Sequence, residues 1–138
     1  MLSSIFLVCF LVGATVLVVF VVFFEQRRLS KYWQRACTGR LWRRRFPRAP
    51  KAEIREFLDV FLAAFAFEDR RRLCFGPDDR VMDVYRALYP IRGTPDSMEL
   101  EDLITRLQKR YGVEILASWR EDITLGDLFT QTRPHAAS

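Results

Sequence analysis

Ile5 to Phe24 is the stretch that most constrains this chain: twenty consecutive residues drawn only from Ile, Phe, Leu, Val, Cys, Gly, Ala and Thr. Coiled as an α-helix, a run of that length crosses a hydrocarbon layer of roughly 30 Å. It predicts a single transmembrane helix. A cleaved signal peptide would need a basic leader and a small-residue cleavage site, whereas Met1-Leu2-Ser3-Ser4 carries no base and no such site follows the run. The segment is therefore expected to be retained.

Charge sets the predicted orientation. Between Glu25 and Pro50 lie nine basic residues, Arg27, Arg28, Lys31, Arg35, Arg40, Arg43, Arg44, Arg45 and Arg48, against one acid, a net +8. By the positive-inside rule this flank stays in the cytoplasm, which leaves the N-terminus outside a single-pass protein of the cell (inner) membrane. From Lys51 to Ser138 the 13 basic and 16 acidic residues sum to −3, so the remainder of the chain is mildly acidic. The basic charge beside the span predicts contact with anionic lipids through Arg27, Arg28, Lys31, Arg35, Arg43, Arg44 and Arg45, and does not point to nucleic acid.

Residues 1–25 thus read as a membrane anchor, 26–50 as a basic juxtamembrane segment, 51–133 as a helical domain and 134–138 as a disordered tail. In the juxtamembrane segment Leu29, Tyr32, Trp33 and Ala36 recur at helical spacing. That suits either a helix lying among the headgroups, with Trp33 and Trp42 at that level, or a simple continuation of the membrane helix. Pro47 and Pro50 break any helix, and the domain boundary is placed at Pro50.

Beyond it, Ile54, Phe57, Leu58, Phe61, Leu62 and Phe65 predict a long amphipathic helix from Lys51 to about Arg70, with Arg70-Arg71-Arg72 at its C-terminal end. Gly76-Pro77-Asp78-Asp79 is turn chemistry before a short helix with Val81, Val84, Tyr85 and Leu88 on one face, ending before Pro90. Asp96 and Glu99 stand at N-cap and N3 spacing, so a helix should start there with Ser97 in its first turn. Leu100, Leu103, Ile104, Leu107 and Tyr111 give it an apolar stripe, and Gly112 is a natural stop. Val113 to Leu116 is a short apolar return, Ser118 with Glu121 suits the cap of a brief turn, and Thr124 with Asp127 opens a last helix. The expected fold is all-α, a small bundle of four to five helices behind one transmembrane helix.

Reactive chemistry is sparse. The single histidine, His135, lies in the polar tail, which argues against a metal centre or a His-based nucleophile. Glycines occur singly, so no phosphate-cradling loop is present. The pairs Asp78-Asp79 and Glu101-Asp102 fall at predicted helix starts or polar faces, where capped and solvated carboxylates are the rule. An enzyme is not expected. Cys9, Cys37 and Cys74 contain no C-x-x-C pair, and Cys37 is either a juxtamembrane lipidation site or an ordinary thiol.

Three separated pieces share one register: Asp96-Ser97-Met98, the helix ending at Tyr111 with Gly112-Val113-Glu114-Ile115 after it, and Ile123-Thr124-Leu125-Gly126-Asp127-Leu128. Together they resemble an acyl carrier protein, a phosphopantetheine-binding family, over about the last forty residues, and the helix from Lys51 resembles that family's first helix more loosely. The resemblance implies an acyl-carrier-like bundle in which Ser97, flanked by Asp96 and Met98, takes a 4′-phosphopantetheine arm from coenzyme A through a phosphopantetheinyl transferase. Leu103 and Ile104 would flank that arm. It further implies docking of acyl-transfer enzymes on the following helix, through Glu99, Glu101, Asp102 and Arg106.

The chain departs from the family at Arg92-Gly93-Thr94-Pro95 before the serine, in the extra helix from Arg80 to Tyr89, and in the bases Arg106, Lys109 and Arg110 on a helix that is usually acidic. The alternative to a membrane-tethered carrier is therefore a non-catalytic adaptor or regulatory module that keeps the bundle without the arm and binds a protein partner.

Overall fold

The computed structural model describes residues 1–89 and 98–133. Helix α1 runs unbroken from Leu2 to Trp33 and is, among the described residues, the one helix long and apolar enough to cross a membrane. The other α-helices are α2 (Gly39–Arg45), α3 (Lys51–Ala64), α4 (Val81–Leu88), α5 (Met98–Tyr111) and α6 (Leu125–Thr132). Two 3₁₀ helices, Asp69–Cys74 and Leu116–Ser118, lie between them, and no strand occurs among the described residues.

Helix α3 occupies the middle of the core. Its positions Ile54, Phe57, Leu58, Phe61 and Leu62 are buried on the stripe that their spacing predicts, and α3 packs against both α5 and the first 3₁₀ helix. From α5 come Leu103, Ile104 and Leu107, from α4 Val81, Val84 and Ala87, and from α6 Leu125, Leu128 and Phe129. Where α5 ends, Gly112 adopts φ +65°, the left-handed conformation that a helix-terminating glycine takes at least cost.

Helix α3 stops at Ala64, short of the expected Arg70. Phe67 stands two residues beyond Phe65 and falls off the helical stripe, so burying both rings requires the chain to turn. Ala66 accordingly takes φ +54°, and the Phe67 N–H reaches back 2.9 Å to the Leu62 carbonyl. The left-handed alanine costs roughly 1–2 kcal/mol. In return the Phe67 ring stacks on Phe65 at 5.8 Å and on Phe75 at 5.4 Å. Arg70, Arg71 and Arg72 consequently sit in the 3₁₀ helix and not at the end of α3. Ser118 likewise closes its 3₁₀ helix rather than capping a turn with Glu121, its hydroxyl lying 3.1 Å from the Ile115 carbonyl.

Of the two readings of the juxtamembrane segment, the simple continuation of the apolar helix is the one found, as far as Trp33. Its apolar side, however, turns into the folded core. Tyr32 is 2% exposed and Leu29 is buried with it, and α1 packs against α4 and the first 3₁₀ helix. Trp33 is half-buried, edge-on to Phe67 and Phe75 at 5.3 and 5.6 Å.

Trp42 of α2 is only 1% exposed, with its indole N–H donating to the Phe75 carbonyl at 2.9 Å and Phe46, Phe57 and Phe129 around its ring. Both tryptophans are packed into the folded core, where composition suggested headgroup contact. The physical reason is area: a large aromatic removed from water is stabilised by more than one left at an interface. One continuous core therefore runs across Pro50, from Leu29 to Phe129.

Candidate functional site

The residues singled out by sequence fall into two places. The first is the start of α5. Asp96 and Ser97 lie outside the described residues, so the arm site itself has no geometry to report. Met98, the first residue of α5, is 65% exposed, and Glu99 and Glu101 follow in the first turn. Glu99 is half-buried and accepts a hydrogen bond from the Tyr89 hydroxyl, which ties the end of α4 to the start of α5. Asp102 and Arg106 pair one turn apart at 2.8 Å. Leu103 and Ile104 point into the core, so they support α5 from beneath and offer little surface to a ligand.

Further along α5 the helix is tied to the scaffold. Arg110 pairs with Glu56 of α3, while Lys109 is exposed. Tyr111 is half-buried, and its hydroxyl pKa is pushed up to about 12, first by burial and then by the negative charge of Glu56. The N-terminal half of α5 thus carries the accessible acids and the C-terminal half is held down.

The second place gathers residues that the sequence marked separately, Thr124 and Asp127, the Gly76–Asp79 turn, Arg35 and Arg45. Thr124 and Asp127 form a reciprocal capping box at α6: the Asp127 N–H donates to the Thr124 hydroxyl and the Thr124 N–H donates to the Asp127 carboxylate, both at 3.1 Å. Against this helix start lies the Gly76–Asp79 loop, the Gly126 N–H donating to the Pro77 carbonyl at 2.8 Å and the Leu125 N–H to the Asp79 carbonyl at 2.9 Å. A side chain at Gly126 would meet that carbonyl at 2.8 Å and the Arg45 guanidinium at 2.7 Å.

Arg45 reaches over the glycine to Asp78 at 2.7 Å and Asp127 at 3.1 Å. Arg35, just past α1, pairs with Asp79 at 2.6 Å, and Asp79 also accepts from the Gly76 N–H at 2.7 Å. Burial alone would raise the Asp127 carboxyl. The hydrogen bonds from Thr124 and the charges of Arg45 and Arg120 outweigh it and hold the group below its ordinary range.

The seven bases expected at the membrane surface therefore divide. Arg27, Arg28, Lys31, Arg43 and Arg44 are exposed, the first three lying over the rings of Phe23, Phe24 and Tyr32. Arg35 and Arg45 are engaged with carboxylates of the folded core. The signal that could have marked them is the turn Gly76-Pro77-Asp78-Asp79, whose paired acids call for cations; a single sequence does not say which of nine nearby bases arrives. Among the described residues no cluster of three or more His, Cys, Asp or Glu is arranged to hold a metal ion. No family profile, no curated protein and no solved structure matches the chain.

Proposed function

We propose that this chain is a membrane-anchored acyl-carrier-like protein, with Ser97 as the attachment point of a 4′-phosphopantetheine arm, α1 crossing the membrane and the helical domain on the cytoplasmic side. What supports the reading most is the start of α5: Met98, next to the serine, is 65% exposed as the first residue of a helix, and a helix N-terminus favours a phosphodiester's charge. Ser97 would hold the arm, with Asp96 and Met98 beside it. The bound arm would supply a thiol that carries acyl groups as thioesters.

A second reading is favoured by a different observation. Two of the three bases of α5 pair with acids of the domain itself, Arg106 with Asp102 and Arg110 with Glu56, which leaves a mixed face suited to one protein partner as well as to acyl-transfer enzymes. In that reading the module is an adaptor and Asp96 only caps the helix.

One experiment separates the two. The full chain is co-expressed with a broad-specificity phosphopantetheinyl transferase, extracted in detergent and weighed intact, with Ser97→Ala alongside. A gain equal to the phosphopantetheinyl group that disappears in Ser97→Ala supports the carrier. An unmodified chain with several transferases sinks it and leaves the adaptor. The full chain is needed because Tyr32 and Trp42 belong to the core.

A further inference from the structure

Between α2, the first turns of α3 and the first 3₁₀ helix lies a cavity of about 170 Å³ that the carrier reading does not use. Its apolar lining is Trp42, Ile54 and Leu73, and Arg43, Lys51 and Arg55 stand around it. No acidic residue lines it. Among the described residues none of these three bases is paired with a carboxylate, although acids of the same helix are, Glu53 with Arg133 and Glu56 with Arg110.

We propose that this cavity binds a phosphate group carrying an apolar substituent. Three like charges held around one concavity repel one another, and an anion seated among them converts that repulsion into attraction. Two of the three are arginines, whose planar forks match phosphate oxygens in pairs. The half-buried Leu73, beside the nearly covered Trp42 and Ile54, supplies contact for methylene groups. Volume narrows the ligand further: cavities that enclose a drug-sized molecule run from about 300 Å³ upward, so this one holds a phosphate with the first few carbons attached and leaves the rest outside. The ligand is either the headgroup region of an anionic phospholipid or a soluble phosphorylated amphiphile, and the site does not depend on Ser97.

The test uses the full chain in phosphatidylcholine nanodiscs. Hexyl phosphate is titrated in by calorimetry, with inorganic phosphate as the probe lacking the apolar part. In parallel, nanodiscs doped with phosphatidic acid are analysed by native mass spectrometry for retained lipid. The triple variant Arg43→Gln, Lys51→Gln, Arg55→Gln is compared with Arg40→Gln, Arg44→Gln, Arg48→Gln, which removes the same charge from exposed positions outside the cavity. Far-UV circular dichroism checks that both fold.

The expected result is stoichiometric binding of at least one amphiphilic probe, weaker binding of inorganic phosphate, and a loss of about tenfold in the cavity variant alone. Retention of phosphatidic acid without binding of hexyl phosphate assigns the site to a membrane lipid, and binding of hexyl phosphate assigns it to a soluble ligand as well. Equal losses in the two variants, an unaffected cavity variant, or no binding of either amphiphile would overturn the proposal.

Discussion

The two ends of this helical domain are built on opposite terms. Where α1, α2, the Gly76–Asp79 loop and α6 meet, polar groups are locked in pairs: Arg35 with Asp79, Arg45 with Asp78 and Asp127, Thr124 with Asp127, and the Trp42 indole with the Phe75 carbonyl. At the start of α5 the side chains are more open, with Met98 largely exposed and the Tyr89–Glu99 hydrogen bond as the tie across to α4. The difference separates scaffold from surface. It also shows that the long apolar helix is a structural part of the domain: the C-terminal end of α1 carries Leu29 and Tyr32 into the core.

The largest effect that would break this comparison is at Trp42. Trp42→Ala opens a cavity at a fully packed site and leaves the Phe75 carbonyl with the Thr38 hydroxyl as its remaining side-chain donor, and it should destabilise the full chain by about 3–5 kcal/mol. Denaturant unfolding in detergent, followed by circular dichroism, reads this out; a loss under about 1 kcal/mol would mean that α2 is an appendage. Gly126→Ala comes next. The Arg45 guanidinium can swing away from the new methyl but the Pro77 carbonyl is backbone, so about 1–3 kcal/mol is expected, with α6 shifted from the loop. A neutral outcome would show that the close approach at Gly126 is relaxed in solution.

The third prediction concerns pH. Asp127 has a depressed pKa in the folded state, so the stability it contributes is present above the ordinary carboxylate range, near pH 4, and is lost as pH falls through its lower folded value. Asp127→Asn should therefore be less stable than the parent at neutral pH and lose less on acidification, the two curves converging at low pH. Parallel curves would remove Arg45 and Thr124 as the cause. The smallest effect belongs to the other region: Met98→Ala should change stability by no more than about 0.5 kcal/mol, as at an ordinary surface position. A larger loss would make the start of α5 part of the scaffold.

Much of the local structure was legible in the residues. The apolar run, the stripe from Ile54 to Phe65, the glycine stop at Gly112 and the Thr124–Asp127 cap all act within one or two helical turns, and each is found where its spacing places it. The end of α3 was misjudged because Arg70 to Arg72 look like the basic terminus of a helix, while the burial of Phe67 against Phe75 turns the chain earlier. Arg35 and Arg45 were assigned to lipid because their neighbours are basic. Their partners, Asp79, Asp78 and Asp127, are more than thirty residues away and come together only in the fold.

By itself, then, the sequence determined the long apolar helix, the buried stripe of α3, the stop at Gly112 and the Thr124–Asp127 cap, since those follow from periodicity and hydrogen bonding between near neighbours. Only the tertiary structure decided that the juxtamembrane aromatics complete the domain's core and that two of its bases lock the α6 junction. Spacing along the chain records which face of a helix is apolar, but not which surface covers it. That choice depends on how much area each packing buries, a property of the whole assembly of helices.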